Sequence, residues 1–202
     1  AGVSHDLRTP LARLRLAIEM LPDEQCKVYK PGMIQDISDM DGIINQFLDF
    51  VRGVEGEPTQ MLDLNALLQS LYERHVRLGR KLKLDLAPTH LIALRPLAMQ
   101  RLLGNLIDNA FAYGKGEVII QSKIEAENIL VSVLDNGPGI PENQKARLLR
   151  PFERLDTARG NTKGSGLGLA ICDRIAKLHR GRLDLIDRPE GGLEVRLTLP
   201  LN

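Results

Sequence analysis

Asn105 and Asn109, in the stretch NLIDNAFAYG, stand four residues apart, so on a helix both amides lie on one face. Carboxamide oxygens are hard donors of the kind Mg²⁺ accepts beside waters and phosphate oxygens. Two exposed helix asparagines would read the same way. Further along, DNGPGI (135–140) follows a strand-like run. There Asp135 could accept a hydrogen bond from an exocyclic amine, while Gly137 and Gly139 give a tight turn and close backbone approach. A plain turn between strand and helix is the alternative. In KGSGLGLAI (163–171) glycines lead into a helix, whose first amides and dipole form a ready anion site. The run is neither a Walker A loop nor a dinucleotide fingerprint. Near the start of the chain, SHDLRTPL offers a histidine, an acid and a threonine within five residues.

Amphipathic helices position that last group. Leu7, Leu11, Leu14, Ile18 and Leu21 repeat at 4, 3, 4, 3, which puts His5 at a b position and Thr9 at an f position. Both then lie on the outer face, one turn apart, and Leu16 shares it. A lone surface leucine is otherwise unremarkable. Pro10 interrupts this pattern at a cost of about 3 kcal/mol, and is expected to bend the helix just past His5 by freeing the Asp6 carbonyl. The helix stops at Pro22-Asp23, and a polar stretch with Pro31-Gly32 leads to a second one, with Ile37, Met40, Ile44, Phe47 and Val51 at 3, 4, 3, 4. Two such helices make an antiparallel hairpin. They cannot enclose both stripes, so a second copy completes a dimeric four-helix bundle, unless the rest of the chain covers them.

GVEGEPTQ breaks the period, so residues 54–60 read as a linker between a hairpin at 1–53 and a second domain at 61–202. In that domain a helical pattern follows Asn65 and a strand covers 81–87. A helix covers about 96–112, paired strands lie at GEVIIQSKI and NILVSVLDN, and helices lie near 141–150 and 166–179. RLDLIDRPEGGLEVRLTLP closes as a hairpin. The expected fold class is therefore α + α/β, a helical hairpin followed by an α/β sandwich with helices on one face of a mixed sheet.

Composition narrows the partners. Net charge is +1 and aromatics make up 3% with no Trp, which argues against nucleic acid and anionic lipid as whole-protein partners. Cys26 and Cys172 show no metal-binding spacing and read as reduced thiols. No apolar run is long enough to span a bilayer, and a first residue in mid-pattern without Met reads as a fragment.

Taken in order, NLIDNAFAYG, DNGPGI, PFERLDTARGNT and KGSGLGLAI resemble the N, G1, F and G2 boxes of the GHKL (Bergerat) ATP-binding fold. SHDLRTPL resembles the H box of sensor histidine kinases, and the likeness covers essentially the whole chain. AGVSHDLRTPL, INQFLDF and DNGPGI bring it nearest the osmosensing members. The resemblance implies an ATP-dependent kinase that phosphorylates His5, passes the phosphate to an aspartate of a response regulator with an OmpR-like receiver domain, and also removes it. It implies a homodimer, and a cytoplasmic portion of a sensor anchored in the bacterial inner membrane by an upstream segment.

The resemblance also distributes roles. Asp6 orients the imidazole of His5 and takes its proton, or is simply an acid in the first turns, and Thr9 orients water for dephosphorylation. An imidazole with an ordinary pKa of about 6.5 keeps a neutral, nucleophilic fraction near pH 7. Asn109 holds Mg²⁺ with Asn105 beside it, Asp135 takes the adenine amine ahead of Gly137 and Gly139, and Tyr113 stacks on the base. Ser165, Gly166, Leu167, Gly168 and Leu169 offer backbone amides to phosphate. Between Phe152 and Gly164 lies a lid carrying Arg154, Leu155 and Arg159, with Lys163 adjoining. Where relatives often carry Lys or Arg before the tyrosine this chain has Ala112, and Lys115 is the candidate substitute. ATPases of the superfamily place a glutamate base at the position of Asn105; an amide cannot activate water. An ATPase conformational clamp and a catalytically silent dimeric scaffold remain the alternatives.

Overall fold

The computed structural model describes residues 2–21, 28–52, 56–88, 90–155 and 165–201, with the backbone alone for 2–10, 39, 45–46 and 49–52. The chain divides into two compact units, Ala1–Gly53 and Val54–Asn202.

The first unit is a helical hairpin of α1 (Gly2–Glu19) against α2 (Lys30–Arg52). Helix α1 runs continuously through Pro10. Helix α2 begins earlier than the sequence suggests, because Pro31 and Gly32 form its first turn instead of the preceding loop. First-turn N–H groups have no intrahelical partner, so a proline there forfeits nothing. Within one hairpin only part of the apolar stripe is covered. Ile37 and Leu48 are buried, whereas Leu14, Leu21, Met40, Ile43 and Phe47 stay exposed.

The second unit pairs a five-stranded mixed sheet with three long helices. In chain order it holds β1 (Gln60–Leu62), α3 (Leu64–Arg77), β2 (Leu82–Leu86), β3 (Ile92–Leu94), α4 (Pro96–Tyr113), β4 (Val118–Glu125) and β5 (Asn128–Leu134). Then follow α5 (Glu142–Leu148), α6 (Gly168–Leu178), β6 (Arg182–Asp187) and β7 (Leu193–Pro200). The sheet order is β2-β4-β5-β7-β6, with β2–β4 parallel and the other pairs antiparallel. Register stacks the apolar row Ile120, Val133, Val195 and Leu185 on one face. The neighbouring row Gln121, Ser132, Arg196 and Asp184 falls on the other, as period-two alternation requires.

Helix α4 lies in the core, with Met99, Leu102, Leu103, Leu106 and Ile107 essentially inaccessible. It packs on α6, which buries Ile171, Cys172, Ile175 and Ala176. The Cys172 thiol donates to Leu102 O at 3.4 Å, and burial pushes its pKa far upward, so it is an inert core group. Cys26 lies outside the described residues.

A separate two-stranded ribbon, β1 with β3, leads directly into α4. Each strand has three residues, too few for a readable alternation. Within the stretch read as a linker, Gln60 belongs to β1 and the Glu57 side chain bonds to the start of α4. No described helix is long and apolar enough to cross a membrane.

Candidate functional site

The C-terminal half of α4 is where the sequence motifs converge. At the end of β5, Asp135 is buried, and its Oδ1 accepts from Gly137 N at 2.7 Å and Leu193 N at 3.3 Å. Its Oδ2 accepts from no described residue. Burial raises the Asp135 pKa above the ordinary carboxylate range, against the downward pull of those two amides and of Arg188. A buried carboxylate with one oxygen held and the other open is an acceptor prepared for an incoming donor.

The β6–β7 turn holds that carboxylate in place. Arg188 Nη1 donates to Asp135 O at 2.6 Å and to Asn136 Oδ1 at 2.7 Å. Asp135 N donates to Leu193 O at 2.9 Å. Gly192, at φ 96°, leans so close that a Cβ on it would come within 2.0 Å of Asp135 O. Only glycine fits there, on both conformation and space.

Gly137 joins this turn to the end of α4. A Cβ on it would approach Tyr113 O to 2.7 Å and Asp135 Oδ1 to 2.9 Å. Tyr113 itself is 38% exposed, at the end of α4 that meets the Asp135 turn. Gly139, at φ 74°, faces Gly192 O and Asp187 instead of α4. Asp187 in turn pairs with the buried Lys145 of α5 at 2.8 Å, which ties α5 to the same hairpin. Lys115 is exposed beyond the end of α4.

On the other side of α4, Gly168 opens α6 against Asn109; a Cβ there would sit 3.5 Å from Asn109 Nδ2, in ordinary contact. One turn earlier, the Asn105 amide bonds to the Cys172 thiol. So Asn109 sits at the mouth of the glycine-led helix, while Asn105 is directed into the α4–α6 contact. Helix α6 has no side-chain cap, and Ser165 Oγ accepts from Leu167 N at 3.3 Å. Its first-turn amides at Gly168 and Leu169 thus form an anion-ready terminus, anchored by the fully buried Leu167.

Phe152 and Gly166 both adopt left-handed backbone, at φ 66° and 71°, and Phe152 N donates to Gly166 O at 3.0 Å. The two ends of the segment between them are therefore joined at its base. Arg154 O accepts from Arg147 Nη2 at 3.1 Å, and Leu155 is half-buried. Arg159, Lys163 and Gly164 lie outside the described residues. Among the described residues no group of three or more His, Cys, Asp or Glu is assembled for a metal. A single amide oxygen at Asn109 fits a Mg²⁺ ion that takes most of its ligands from phosphates and water.

In the first unit, His5, Asp6 and Thr9 all fall on α1, with His5 and Thr9 on one face by helical spacing. Their side chains lie outside the described set. Leu16 is 58% exposed, in keeping with an outer position. Arg188, Gly192 and Glu57 escape sequence reading. The paired glycines of RPEGG signal a turn, but nothing in sequence signals that the turn packs on Asp135.

Residues 1–56 match the His Kinase A (phospho-acceptor) domain model, and residues 95–202 match the model for the histidine kinase-, DNA gyrase B- and HSP90-like ATPases. The sensor histidine kinase GtrS of Pseudomonas aeruginosa is 38% identical over 99% of this chain and 41% of its own length. The chain thus spans less than half of that relative. Among solved structures, full-length ShkA in complex with AMPPNP superposes with a TM-score of 0.80 at 25% identity, over 99% of this chain and 45% of that one. The histidine kinase domain of the E. coli osmosensor EnvZ gives a TM-score of 0.57 at 37% identity, over 72% of this chain and 90% of that one.

Proposed function

The chain belongs to the histidine kinases, with a phospho-acceptor domain followed by an ATPase-type domain, and on that premise we propose that it autophosphorylates His5 from ATP. The observation that carries the reading is the buried Asp135, with Oδ1 fixed by two amides and Oδ2 open. In this reading Asp135 Oδ2 accepts from the adenine amine and Tyr113 stacks on the ring. The amides of Gly168 and Leu169 receive phosphate, with Arg154, Arg159, Lys163 and Lys115 adding charge. Asn109 holds Mg²⁺, which would neutralise phosphate charge during transfer.

His5 attacks the γ-phosphorus; the bond to the bridging oxygen breaks, a P–N bond forms, ADP leaves, and Asp6 takes the imidazole proton. Asn105 offers no base to activate water, so transfer to the imidazole is favoured over hydrolysis. The phosphate then passes to an aspartate of a response regulator of the OmpR-like receiver class. In a separate phosphatase reaction Thr9 orients water against the same phospho-aspartate, whose hydrolysis frees the carboxylate and releases inorganic phosphate. The two roles divide at residues 1–53 for phosphotransfer and 61–202 for nucleotide binding. The exposed Leu14, Leu21, Met40 and Phe47 would be covered by a second copy in a four-helix bundle. In its parent protein the chain would lie on the cytoplasmic side of an inner-membrane sensor.

Incubation with γ-labelled ATP tests the proposal. Acid-labile label on wild type and none on His5→Gln is expected. Phosphate release without labelled protein points to the ATPase clamp, and neither label nor release points to the silent scaffold.

A further inference from the structure

Helix α4, which carries Asn105, Asn109 and Tyr113, has no cap of its own. Its N-cap residue Arg95 makes no side-chain capping bond, and Pro96 at the first helical position has no N–H to satisfy. The next two amides are satisfied from 40 and 41 residues upstream, where Leu97 N donates to Glu57 Oε1 at 2.6 Å and Ala98 N to Glu57 Oε2 at 2.9 Å. The Arg95 amide is met from the opposite direction, donating to His179 Nε2 at 3.0 Å, while His179 Nδ1 lies 2.8 Å from Ile175 O. That pair of contacts requires the neutral ring protonated on Nδ1. Glu57 is thus the one carboxylate on these amides among the described residues, placed where the helix dipole favours negative charge. It precedes β1, so the chain entering the second unit is held at two points, first by this clasp and then by the β1–β3 ribbon.

We propose that Glu57 is a positioning residue: by clasping the start of α4 it ends the covalent tether from the helical hairpin at residue 57, and so sets the rate of His5 phosphorylation. The inference rests on the kinase reading above. From Arg52, the last residue of α2, the tether reaches its first fixed point after five residue steps with the clasp closed. With it open the tether runs eight steps, to Gln60 in β1. At no more than about 3.6 Å per residue, these steps can span at most about 18 Å and 29 Å. Where a flexible tether is longer than the span it bridges, effective concentration falls roughly as the −3/2 power of length; on that scaling opening the clasp lowers autophosphorylation about twofold. Nucleotide affinity does not change, because Glu57 touches only the far end of α4.

The test uses the whole chain and two six-residue Gly/Ser insertions, one between Gly56 and Glu57 and one between Pro58 and Thr59. With Glu57 present, the first lengthens the tether and slows His5 labelling about threefold. The second bulges between two fixed points and leaves the rate unchanged. In a Glu57→Ala background the two insertions become equivalent. Equal effects with Glu57 present, no effect of either, or an asymmetry that survives Glu57→Ala overturns the proposal; a general loss of stability would not produce the asymmetry. Amide hydrogen exchange at Leu97 and Ala98 reads the clasp without any chemistry. It should quicken in Glu57→Ala, and unchanged exchange overturns the proposal too. Absence of label on wild type together with quickened exchange would instead sink the kinase reading and leave the clasp standing.

Discussion

Replacing Asp135 with Asn should separate nucleotide binding from stability in opposite directions. The Asn amide oxygen can take over the role of Oδ1, accepting from Gly137 N and Leu193 N, so the turn is preserved. The amide NH₂ then stands where Oδ2 was open, and would present a donor to the donor amine of adenine. Loss of a hydrogen bond to a charged group is worth about 1.5–3 kcal/mol, or a rise of about 10- to 150-fold in the Kd for ATP. Stability should move the other way. Burial raises the Asp135 pKa in the folded chain, so the folded state holds this proton more tightly than the unfolded state does. The resulting stabilisation is full below the unfolded carboxylate pKa and is lost as pH rises through the raised folded value. At pH 7 the ionised group is therefore a net liability that Asn does not carry. Asp135→Asn should be at least as stable as wild type at neutral pH, and the difference should shrink as pH falls through the raised folded value and level off below about 4. Calorimetric titration with a non-hydrolysable ATP analogue and thermal melts from pH 3 to 8 on the same samples test both arms. Binding within twofold of wild type, or parallel losses of binding and stability, would refute the reasoning.

Three further outcomes follow from the same geometry. Gly192→Ala should destabilise the fold more than Gly191→Ala, and should also weaken nucleotide binding, as read by melts and titration. Both glycines have left-handed φ, worth about 1–2 kcal/mol against alanine, but only at Gly192 would a Cβ collide with Asp135 O, while Gly191 has open space. Thr9→Ala should keep His5 labelling and lower the rate of regulator dephosphorylation; equal loss of both would remove Thr9 from the proposed phosphatase role. Leu14→Glu puts a charge on an exposed stretch of the hairpin stripe, and sedimentation should report a shift from dimer towards monomer.

Long periodic elements were legible in the sequence. The helix over 96–112, the paired strands β4 and β5, the closing hairpin of β6 and β7, and the glycine entry to α6 all matched what formed. The ribbon of β1 and β3 was not legible, since three residues carry no alternation. Pro31 misled because a proline reads as a breaker before its helical position is known. Leu48 is buried although the heptad reading skipped it, because it lies three turns after the buried Ile37 on the same side of α2. In the candidate site, Asp135, Asn109 and the glycines could be named because their types suit phosphate and amine chemistry in short motifs. Arg188 and Glu57 could not. Their partners lie 53 and 40 residues away, and only the folded chain shows which turn closes on which helix end.

The most direct measurement on the central claim is mass-spectrometric mapping of the chain after incubation with Mg²⁺-ATP, handled at neutral to alkaline pH to preserve a phosphoramidate. The account predicts one added phosphoryl group on the peptide containing His5, lost on brief acid treatment, and absent from Asp135→Asn at limiting ATP. Unmodified protein accompanied by steady release of inorganic phosphate, or a phosphoryl group on any other residue, would contradict it.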